Sequence, residues 1–323
     1  MYCIEYYLNI TKGVVRLAKK IAIAFNKGGS AKTTTTVNVG GAYALRHPQK
    51  LVNITDADGQ GNGTSSFQID KNNLEYTSYD VLIGNLEPSE ILDKVIQKTL
   101  LDNLDVLPAN GDLNFLEFDL MNLYSEKVKD NLYNFIQKFK NNPDRLFKLS
   151  KEEFNEVVSS EIEIDTYYFN MINNKLDDLD SHYDVIFFDT PPELKAVTSS
   201  VLAIVDYVII PFEPDTYSLE GLINILRRID EIKKKYNPKL EIAGILATKV
   251  ENRTKQHSDI IKEVVKFCAK NNIRFFDTEI PKSIKFGSAI TYESLPATVT
   301  NQENKFVQSY LNLVDELEEL DIL

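Results

Sequence analysis

The stretch IAIAFNKGGSAKTTTT, residues 21–36, predicts the fold of this chain more strongly than any other. Its first five residues are apolar and predict a buried strand. A glycine-rich turn follows, and then a Lys–Thr pair opens a run that can form a helix. This arrangement holds nucleotide phosphates, because backbone N–H groups and the helix dipole point at the anion. The lysine and the hydroxyl that follow the turn serve the terminal phosphates and Mg²⁺.

The turn departs from the standard phosphate-loop pattern GxxxxGK[ST]. That pattern places glycine where this chain has Asn26 and Ala31, and the chain instead reads K-G-G-x-x-K-T, with Lys27 and Lys32 flanking the turn. A Gly–Gly turn beside two solvated lysines is the alternative, but the position between strand and helix favours phosphate binding. The predicted phosphate-binding residues are Lys27, Gly28, Gly29, Ser30, Ala31, Lys32, Thr33 and Thr34.

Two further segments place carboxylates directly after apolar strands. Asp56 and Asp58 follow the strand predicted at 51–55, in the sequence D-A-D-G-Q-G-N-G-T, and Asp189 follows the strand at 185–188, in D-T-P-P. Ligands of open α/β sheets bind at the carboxyl ends of the strands. A carboxylate there can hold Mg²⁺, and one near the γ-phosphate can orient water. Taken alone, the first segment also fits a Gly/Asn-rich surface turn.

The strand candidates alternate with helical stretches along the chain, and most of them are near-continuous apolar runs. Such runs are typical of strands that helices cover on both faces. The pattern predicts an α/β fold: a doubly wound, mostly parallel sheet with helices on both faces, as in P-loop NTPases. We expect a lead-in at 1–20 and one domain at 21–323, with a helical insert at about 112–181. The strands are predicted at 21–25, 51–55, 104–107, 185–188, 207–210, 242–247 and 273–276.

Composition narrows the class of protein. The chain has 323 residues and only two cysteines, Cys3 and Cys268, which form neither a CxxC pair nor a disulfide framework. A reducing cytoplasm is therefore the expected location. No apolar run reaches the length that spans a membrane, so we expect no membrane-embedded segment.

Charge is distributed unevenly. The whole chain carries −12, but residues 222–287 contain fifteen Lys or Arg and eight Asp or Glu, a local charge of +7. A basic segment on an acidic protein can still meet DNA phosphates. Solvated helix faces explain the same charges equally well, so charge alone leaves both interpretations open.

Together, the three motifs resemble the deviant Walker A class of P-loop ATPases, which includes ParA, MinD and the nitrogenase iron protein. The ParA family carries D-x-D-P-Q-x-N-x-T, which this chain matches except that Gly59 replaces the proline. The resemblance implies ATP and Mg²⁺ as cofactors and an ATP-dependent sandwich homodimer. It implies that Lys27 contacts the nucleotide of the partner subunit, and that Asp58 positions the attacking water. The catalytic residues it implies are Lys27, Lys32 and Asp58, and the metal-binding residues are Thr33, Asp56 and Asp189.

Two late loops also resemble the family. They follow the segments G-I-L-A-T and I-P-K, and in relatives they line the adenine pocket. The resemblance therefore implies base contacts from Thr248, Lys249 and Pro281.

Within the class, the sequence favours a ParA-type partition ATPase. The two cysteines do not fit an iron–sulfur site. A terminal amphipathic stretch, 301–323, holds one lysine against six acidic residues, so an anionic membrane would repel it. Resemblance implies non-specific, nucleoid DNA and a ParB-type centromere-binding protein as partners, with DNA contacts from Arg253, Lys255, Lys262, Lys266, Lys282 and Lys285. A MinD-like or other cargo-positioning ATPase remains an alternative, as does a nucleotide-dependent scaffold or regulator.

Overall fold

The structure is a computed structural model that describes residues 17–323 apart from 143, 145–147, 154–176, 216–217 and 252–253. Most of the predicted lead-in, 1–16, and the central part of the predicted insert therefore lie outside the described residues. So does Arg253, one of the predicted DNA contacts.

A seven-stranded sheet organises the described part of the chain, in the order β3-β4-β2-β5-β1-β6-β7. All neighbouring strands are parallel except β3, a two-residue edge strand that runs antiparallel to β4. The predicted α/β class with a mostly parallel sheet is confirmed. The strands are β1 (Lys19–Ile23), β2 (Val52–Asp56), β3 (Gln97–Lys98), β4 (Leu104–Leu107), β5 (Val185–Asp189), β6 (Tyr207–Phe212) and β7 (Glu241–Ala247).

Helices connect the strands and cover both faces of the sheet. The described helices are α1 (Lys32–Arg46), α2 (Asn62–Ser65), α3 (Ser78–Ile83), α4 (Pro88–Lys94), α5 (Leu116–Gln137), α6 (Asp177–His182), α7 (Ala196–Leu202), α8 (Ser218–Lys235), α9 (Lys255–Lys270), α10 (Ile284–Ser288), α11 (Ala297–Thr300) and α12 (Gln308–Glu319). A 3₁₀ turn at Gly111–Phe115 precedes α5, and a π-helical turn at Ala289–Glu293 follows α10.

The core has two layers, one on each face of the sheet. Neighbouring residues of a strand point to opposite faces, so Phe187 packs with α1 and α12 while Phe188 packs with the helices of the other face. This explains why the strands read as continuous apolar runs in the sequence. Each run is apolar at every position because neither face meets water.

The segment 273–276, the last of the seven predicted strands, is not a strand, whereas the short edge strand β3 was not predicted. The segment makes a single isolated bridge, between Ile245 of β7 and Phe275. Just beyond it, the Glu316 carboxylate of α12 accepts hydrogen bonds from the backbone N–H groups of Asp277 and Thr278, at 2.8 and 3.0 Å. Backbone pairing of the segment with β7 is confined to Ile245, which bonds to Arg274 and Phe276 at 2.9 and 3.0 Å, so no ladder is formed.

The helix that follows the phosphate loop approaches its neighbours closely through two glycines. A Cβ built on Gly40 of α1 would lie 2.9 Å from Cδ1 of Ile54, which is fully buried in β2. On the other side, a Cβ on Gly41 would lie 3.0 Å from Val299 in α11. The two glycines therefore set the distance from α1 to the sheet and to the late helices.

We expect Gly40→Ala to destabilise the protein by about 1–2 kcal/mol, because the added methyl group overpacks a buried contact. Chemical denaturation followed by circular dichroism measures this change. Gly287→Ala is the matched control, since Gly287 is also helical but has open space around it. There, better helix propensity should stabilise the protein by up to about 1 kcal/mol. Equal effects at both sites would contradict the packing described here.

Candidate functional site

Sheet register brings the predicted site residues to one edge. Asp56, the last residue of β2, pairs with Asp189, the last residue of β5, and Asp189 also pairs with Ile23 at the end of β1. The predicted phosphate loop leaves the sheet just after β1. The loop and both carboxylates therefore lie at the carboxyl ends of three neighbouring strands, where open α/β sheets bind their ligands.

Backbone conformation explains part of the unusual loop sequence. Gly29 and Ala31 both have positive φ, +74° and +67°, and Ala31 caps the N-terminus of α1. The left-handed region favours glycine, so alanine at this position costs about 1 kcal/mol of strain. The standard motif has glycine where Ala31 stands, and the structure shows that Ala31 adopts a left-handed conformation that favours glycine.

The side chain of Lys32 lies inside the phosphate loop. It is buried, and Nζ donates a hydrogen bond to the backbone oxygen of Lys27, at 3.1 Å. Burial lowers the pKa of Lys32, while the nearby carboxylates of Asp189 and Asp58 oppose that shift. The amino group thus lies within the turn, where nearby acids partly offset the effect of its burial.

Asp56 is a fully buried carboxyl held by several donors. Its Oδ2 accepts hydrogen bonds from the backbone N–H and the hydroxyl of Thr64, at 2.7 and 2.8 Å, and its Oδ1 accepts one from the Asp58 N–H, at 3.1 Å. Burial nevertheless raises the pKa of Asp56 to about 6. Three donors orient the carboxylate, but they do not fully offset its removal from water.

The carboxylate of Asp189 has fewer and weaker hydrogen bonds than that of Asp56. It accepts a hydrogen bond from Thr33 and a long one, 3.4 Å, from Thr36. Its Oδ2 is buried and has no hydrogen-bond partner within the described residues. Burial, and then the neighbouring Asp56, raise the pKa of Asp189 well above its usual range.

This pair of carboxyls fits a divalent cation. A buried carboxylate oxygen without a donor, beside a second buried carboxyl, is stabilised by a positive charge. In the described part of the chain, no three His, Cys, Asp or Glu side chains converge on one point. Mg²⁺ in nucleotide sites is usually bound through one or two carboxylates and takes its other ligands from phosphate and water.

Asp58 lies beside the pair and is partly exposed. Its Oδ1 accepts a hydrogen bond from the Gln60 N–H at 2.9 Å, which orients the carboxylate toward its own turn. The next residue, Gly59, stands where the ParA motif has proline. A Cβ there would lie 2.5 Å from Oδ1 of Asn114, so the side chain of Asn114 fills the space that a larger residue would need.

Thr248 and Lys249, predicted to contact adenine, support the phosphate loop from the end of β7. The Thr248 hydroxyl donates to the backbone oxygen of Ser30 at 3.3 Å, and Lys249 Nζ donates to the backbone oxygen of Gly29. Lys249 Nζ also lies 3.4 Å from the Glu213 carboxylate. Pro281 joins this region through an isolated bridge with Val250. Base contacts by these residues stay a prediction.

Lys27, the first lysine of the loop, forms an ion pair with the Asp215 carboxylate. Asp215 follows β6, and its other oxygen accepts a hydrogen bond from the Ser218 hydroxyl at 2.7 Å. Both charged side chains are about one-third exposed. Sequence reasoning did not predict this contact, although Asp215 lies in a segment, I-P-F-E-P-D, that resembles the family.

The predicted DNA contacts occupy two places in the described structure. Lys255, Lys262 and Lys266 are exposed on α9. Lys282 and Lys285 are exposed at the start of the segment that contains α10. Lys282 Nζ lies 2.6 Å from the Glu251 carboxylate, which raises the pKa of the lysine and neutralises part of its charge.

No helix within the described ranges is both long and apolar enough to cross a bilayer.

Sequence comparisons identify the class and then the family. A family model described as an AAA domain matches residues 18–147 and 149–242. The chain is 30% identical over 305 residues to a ParA family protein of Mycoplasma pneumoniae, covering 92% of this chain and 96% of the relative. It is 29% identical over 301 residues to the sporulation initiation inhibitor protein Soj of Bacillus subtilis, covering 93% of this chain and 98% of the relative. The chain belongs to the ParA family, and the resemblance inferred from its motifs is confirmed.

Solved structures share the fold at lower identity. Cobyrinic acid a,c-diamide synthase of Mycobacterium smegmatis, with bound ADP and magnesium, has a TM-score of 0.66 at 24% identity, covering 93% of this chain and 94% of that one. A plasmid partition protein of Borrelia burgdorferi bound to AMPPNP has a TM-score of 0.64 at 21% identity, covering 94% and 99%. The cell division ATPase MinD of Pyrococcus furiosus has a TM-score of 0.62 at 19% identity, covering 94% of this chain and 100% of that one.

The raised pKa of Asp189 predicts a pH-dependent effect of Asp189→Asn. Because the folded-state pKa lies above the unfolded value, ionisation penalises the folded state progressively as pH rises above about 4. The neutral amide removes that penalty. We expect the nucleotide-free and Mg²⁺-free variant to melt at least about 2 °C higher than the parent at about pH 8, with little difference at about pH 4.

Thermal unfolding at both pH values measures this effect, with Asp259→Asn as a control, because Asp259 is exposed on α9. If Asp189→Asn instead destabilises the protein at alkaline pH, hydrogen-bond donors other than Thr33 and Thr36 must satisfy the carboxylate.

Proposed function

We propose that this chain is a Mg²⁺-dependent ATPase that hydrolyses ATP to ADP and phosphate. The observation that carries the proposal is the pair of buried carboxyls, Asp56 and Asp189, beside the phosphate loop and its buried Lys32. Acids of this kind are unfavourable without a cation, and a nucleotide phosphate is the natural ligand that brings one. Relatives and neighbours with the same fold include proteins solved with ADP, an ATP analogue and magnesium.

Each residue has a distinct role in the proposed chemistry. Backbone N–H groups of the loop and Lys32 would bind the phosphates, and Thr33, Asp189 and Asp56 would hold Mg²⁺. The metal, when bound, neutralises charge that develops on the phosphates. Asp58 is partly exposed at the same edge, where it can orient a water molecule. Catalysis would then rest on positioning and electrostatics, as it does in phosphoryl transfer generally.

Dimerisation is proposed to depend on Lys27. In this structure its ammonium group is paired with Asp215 of its own subunit. To stabilise charge on a nucleotide in a partner subunit, Lys27 must leave that carboxylate. A partly exposed ion pair contributes little stability, so a nucleotide phosphate can compete for the lysine.

Partition of DNA is the function that this ATPase best fits. Relatives include proteins described as chromosome partitioning protein ParA in Myxococcus xanthus and Caulobacter vibrioides. We propose that the ATP-bound dimer binds DNA without sequence preference, through lysines of α9 and of the segment at 282–285, together with Arg253. Phosphate contacts by lysine carry no sequence information. A ParB-type partner would stimulate hydrolysis, and the setting would be the cytoplasm, on the nucleoid.

Three single variants separate the proposed roles at the nucleotide site. We expect Lys32→Ala to weaken ATP binding roughly 100-fold, since it removes a charged donor to the phosphates. Asp58→Ala should bind ATP normally but lower turnover at least about 100-fold, since the water is no longer oriented. Lys27→Ala should bind ATP and remain monomeric. A fluorescent nucleotide measures ATP binding, and phosphate release measures turnover. Light scattering measures the molecular mass, and with it the oligomeric state.

Normal turnover by Asp58→Ala would show that another group orients the water. ATP binding unchanged in Lys32→Ala would contradict the proposed phosphate site.

The DNA surface is tested by the dependence of affinity on salt. Each lysine that contacts a phosphate contributes a slope of about −0.9 in a plot of log affinity against log salt concentration. The double variant Lys262→Ala, Lys266→Ala should therefore bind DNA more weakly with ATP, and its slope should be less steep by about 2. Lys239→Ala, another exposed lysine just before β7, is the control. A double variant with an unchanged slope would move the DNA surface away from α9.

A further inference from the structure

The segment at 282–293, which joins the bridge near β7 to the π-helical turn, exposes two large apolar side chains. Ile284 and Tyr292 are each 85% exposed, and no other large hydrophobic residue in the described chain exceeds that value. Single exposed hydrophobic residues are ordinary on protein surfaces. Two of them within nine residues, at this degree of exposure, need a reason.

Buried anchors hold the segment in place between the two exposed side chains. Phe286 and Ala289 are buried, and the Phe286 ring packs edge-on against Tyr310, with 5.2 Å between the ring centroids. A segment with its inner face packed presents its outer face in a defined way. Ile284 and Tyr292 are therefore held outward by the packing of their neighbours.

Helix geometry places the two exposed residues toward the same side. An α-helix advances about 100° per residue, so eight residues would overshoot two full turns by roughly 80°. The second half of this segment, Ala289–Glu293, is π-helical. Its i→i+5 turn is wider, so each residue advances less. The wider turn brings Tyr292 back toward the face that Ile284 occupies.

Positive charge lies beside Ile284, whereas the exposed Glu293 follows Tyr292. Lys285 follows Ile284 directly and is exposed, and Lys282 lies two residues before it. The backbone N–H of Lys282 donates to Val250 at 3.0 Å, and Lys282 pairs with Glu251, four residues before α9 begins at Lys255. The exposed pair is thus continuous with the surface that we propose for DNA phosphates.

The far end of the segment is tied to the nucleotide site. Gln68 donates a backbone hydrogen bond to the Ser294 oxygen and a side-chain hydrogen bond to the Glu293 oxygen, both at 3.0 Å. Gln68 lies three residues after α2, which follows the turn that carries Asp58. On the other side, Tyr310 beneath Phe286 forms a hydrogen bond with Thr35 of α1, at 3.2 Å. Elements next to the phosphate loop and to Asp58 therefore fix this segment at its far end and at Phe286.

We propose that Ile284 and Tyr292 contact the sugars and base edges in the minor groove of DNA while the flanking lysines contact phosphates. Apolar side chains are used in this way by proteins that bind the minor groove. The proposal rests on the DNA-binding function proposed above. DNA fits better than a lipid surface, because a five-residue helix and one π turn offer far less apolar area than an interfacial amphipathic helix.

The experiment compares salt dependence in two kinds of variant, using a fluorescent duplex of mixed sequence and a non-hydrolysable ATP analogue. The double variant Ile284→Ala, Tyr292→Ala should bind about tenfold more weakly at every salt concentration with an unchanged slope, because apolar contacts release no counterions. Lys285→Ala should instead flatten the slope by about 0.9. Tyr292→Phe, which keeps the ring, should bind as the parent does. Leu100→Ala, another exposed apolar position, is the control.

Several results would overturn the inference while leaving the proposed function intact. One such result is a double variant that binds DNA as well as the parent does. A second is a double variant whose salt slope is flattened. A third is a double variant that no longer dimerises with the ATP analogue. Loss of binding to anionic vesicles with DNA binding retained would identify a lipid contact and also overturn it. A parent that binds no DNA with the ATP analogue contradicts the proposed DNA binding itself, and the inference falls with it.

Discussion

Two carboxyl groups side by side in the interior, at the ends of β2 and β5, are the constraint on which the rest of the site depends. Asp56 and Asp189 are both fully buried, burial raises the pKa of each, and Asp56 raises the pKa of Asp189 further. The loop, the buried lysine and the N-terminus of α1 all point to the same place, so the site is arranged to receive an anion together with a cation.

Much of this arrangement could be predicted from the sequence, because it follows from local patterns and from one topological rule. Buried strands read as apolar runs, and β4 lies where it was predicted, at Leu104–Leu107. Parallel strands bring their carboxyl ends to one edge, so the sequence pattern places Asp56 and Asp189, more than 130 positions apart, at the same edge of the sheet. A phosphate loop can be predicted from its sequence because glycine-rich turns and helix N-termini supply the same backbone N–H donors in many proteins.

What the sequence did not reveal depends on pairings between distant side chains. Lys27 has many acidic residues available, and only the folded chain shows that Asp215 binds it. Lys282 looked like a free DNA contact, yet Glu251 neutralises part of its charge. The segment at 273–276 is apolar enough for a strand, but the Glu316 carboxylate takes the backbone N–H groups that follow it. No periodicity in the sequence encodes such competition between partners.

Packing of α12 against α1 has a consequence for how the chain is made. Tyr310, Leu313 and Leu317 of α12 are fully buried in the layer that covers α1, although Thr35 and Tyr310 are separated by 275 positions. During synthesis on the ribosome, the phosphate-loop helix emerges early, and its apolar side stays uncovered until α12 has left the exit tunnel. Long-range closure of this kind is slow and exposes hydrophobic surface. The apolar side of α1 in the nascent chain is therefore exposed to solvent or to other proteins until the residues of α12 are available to cover it.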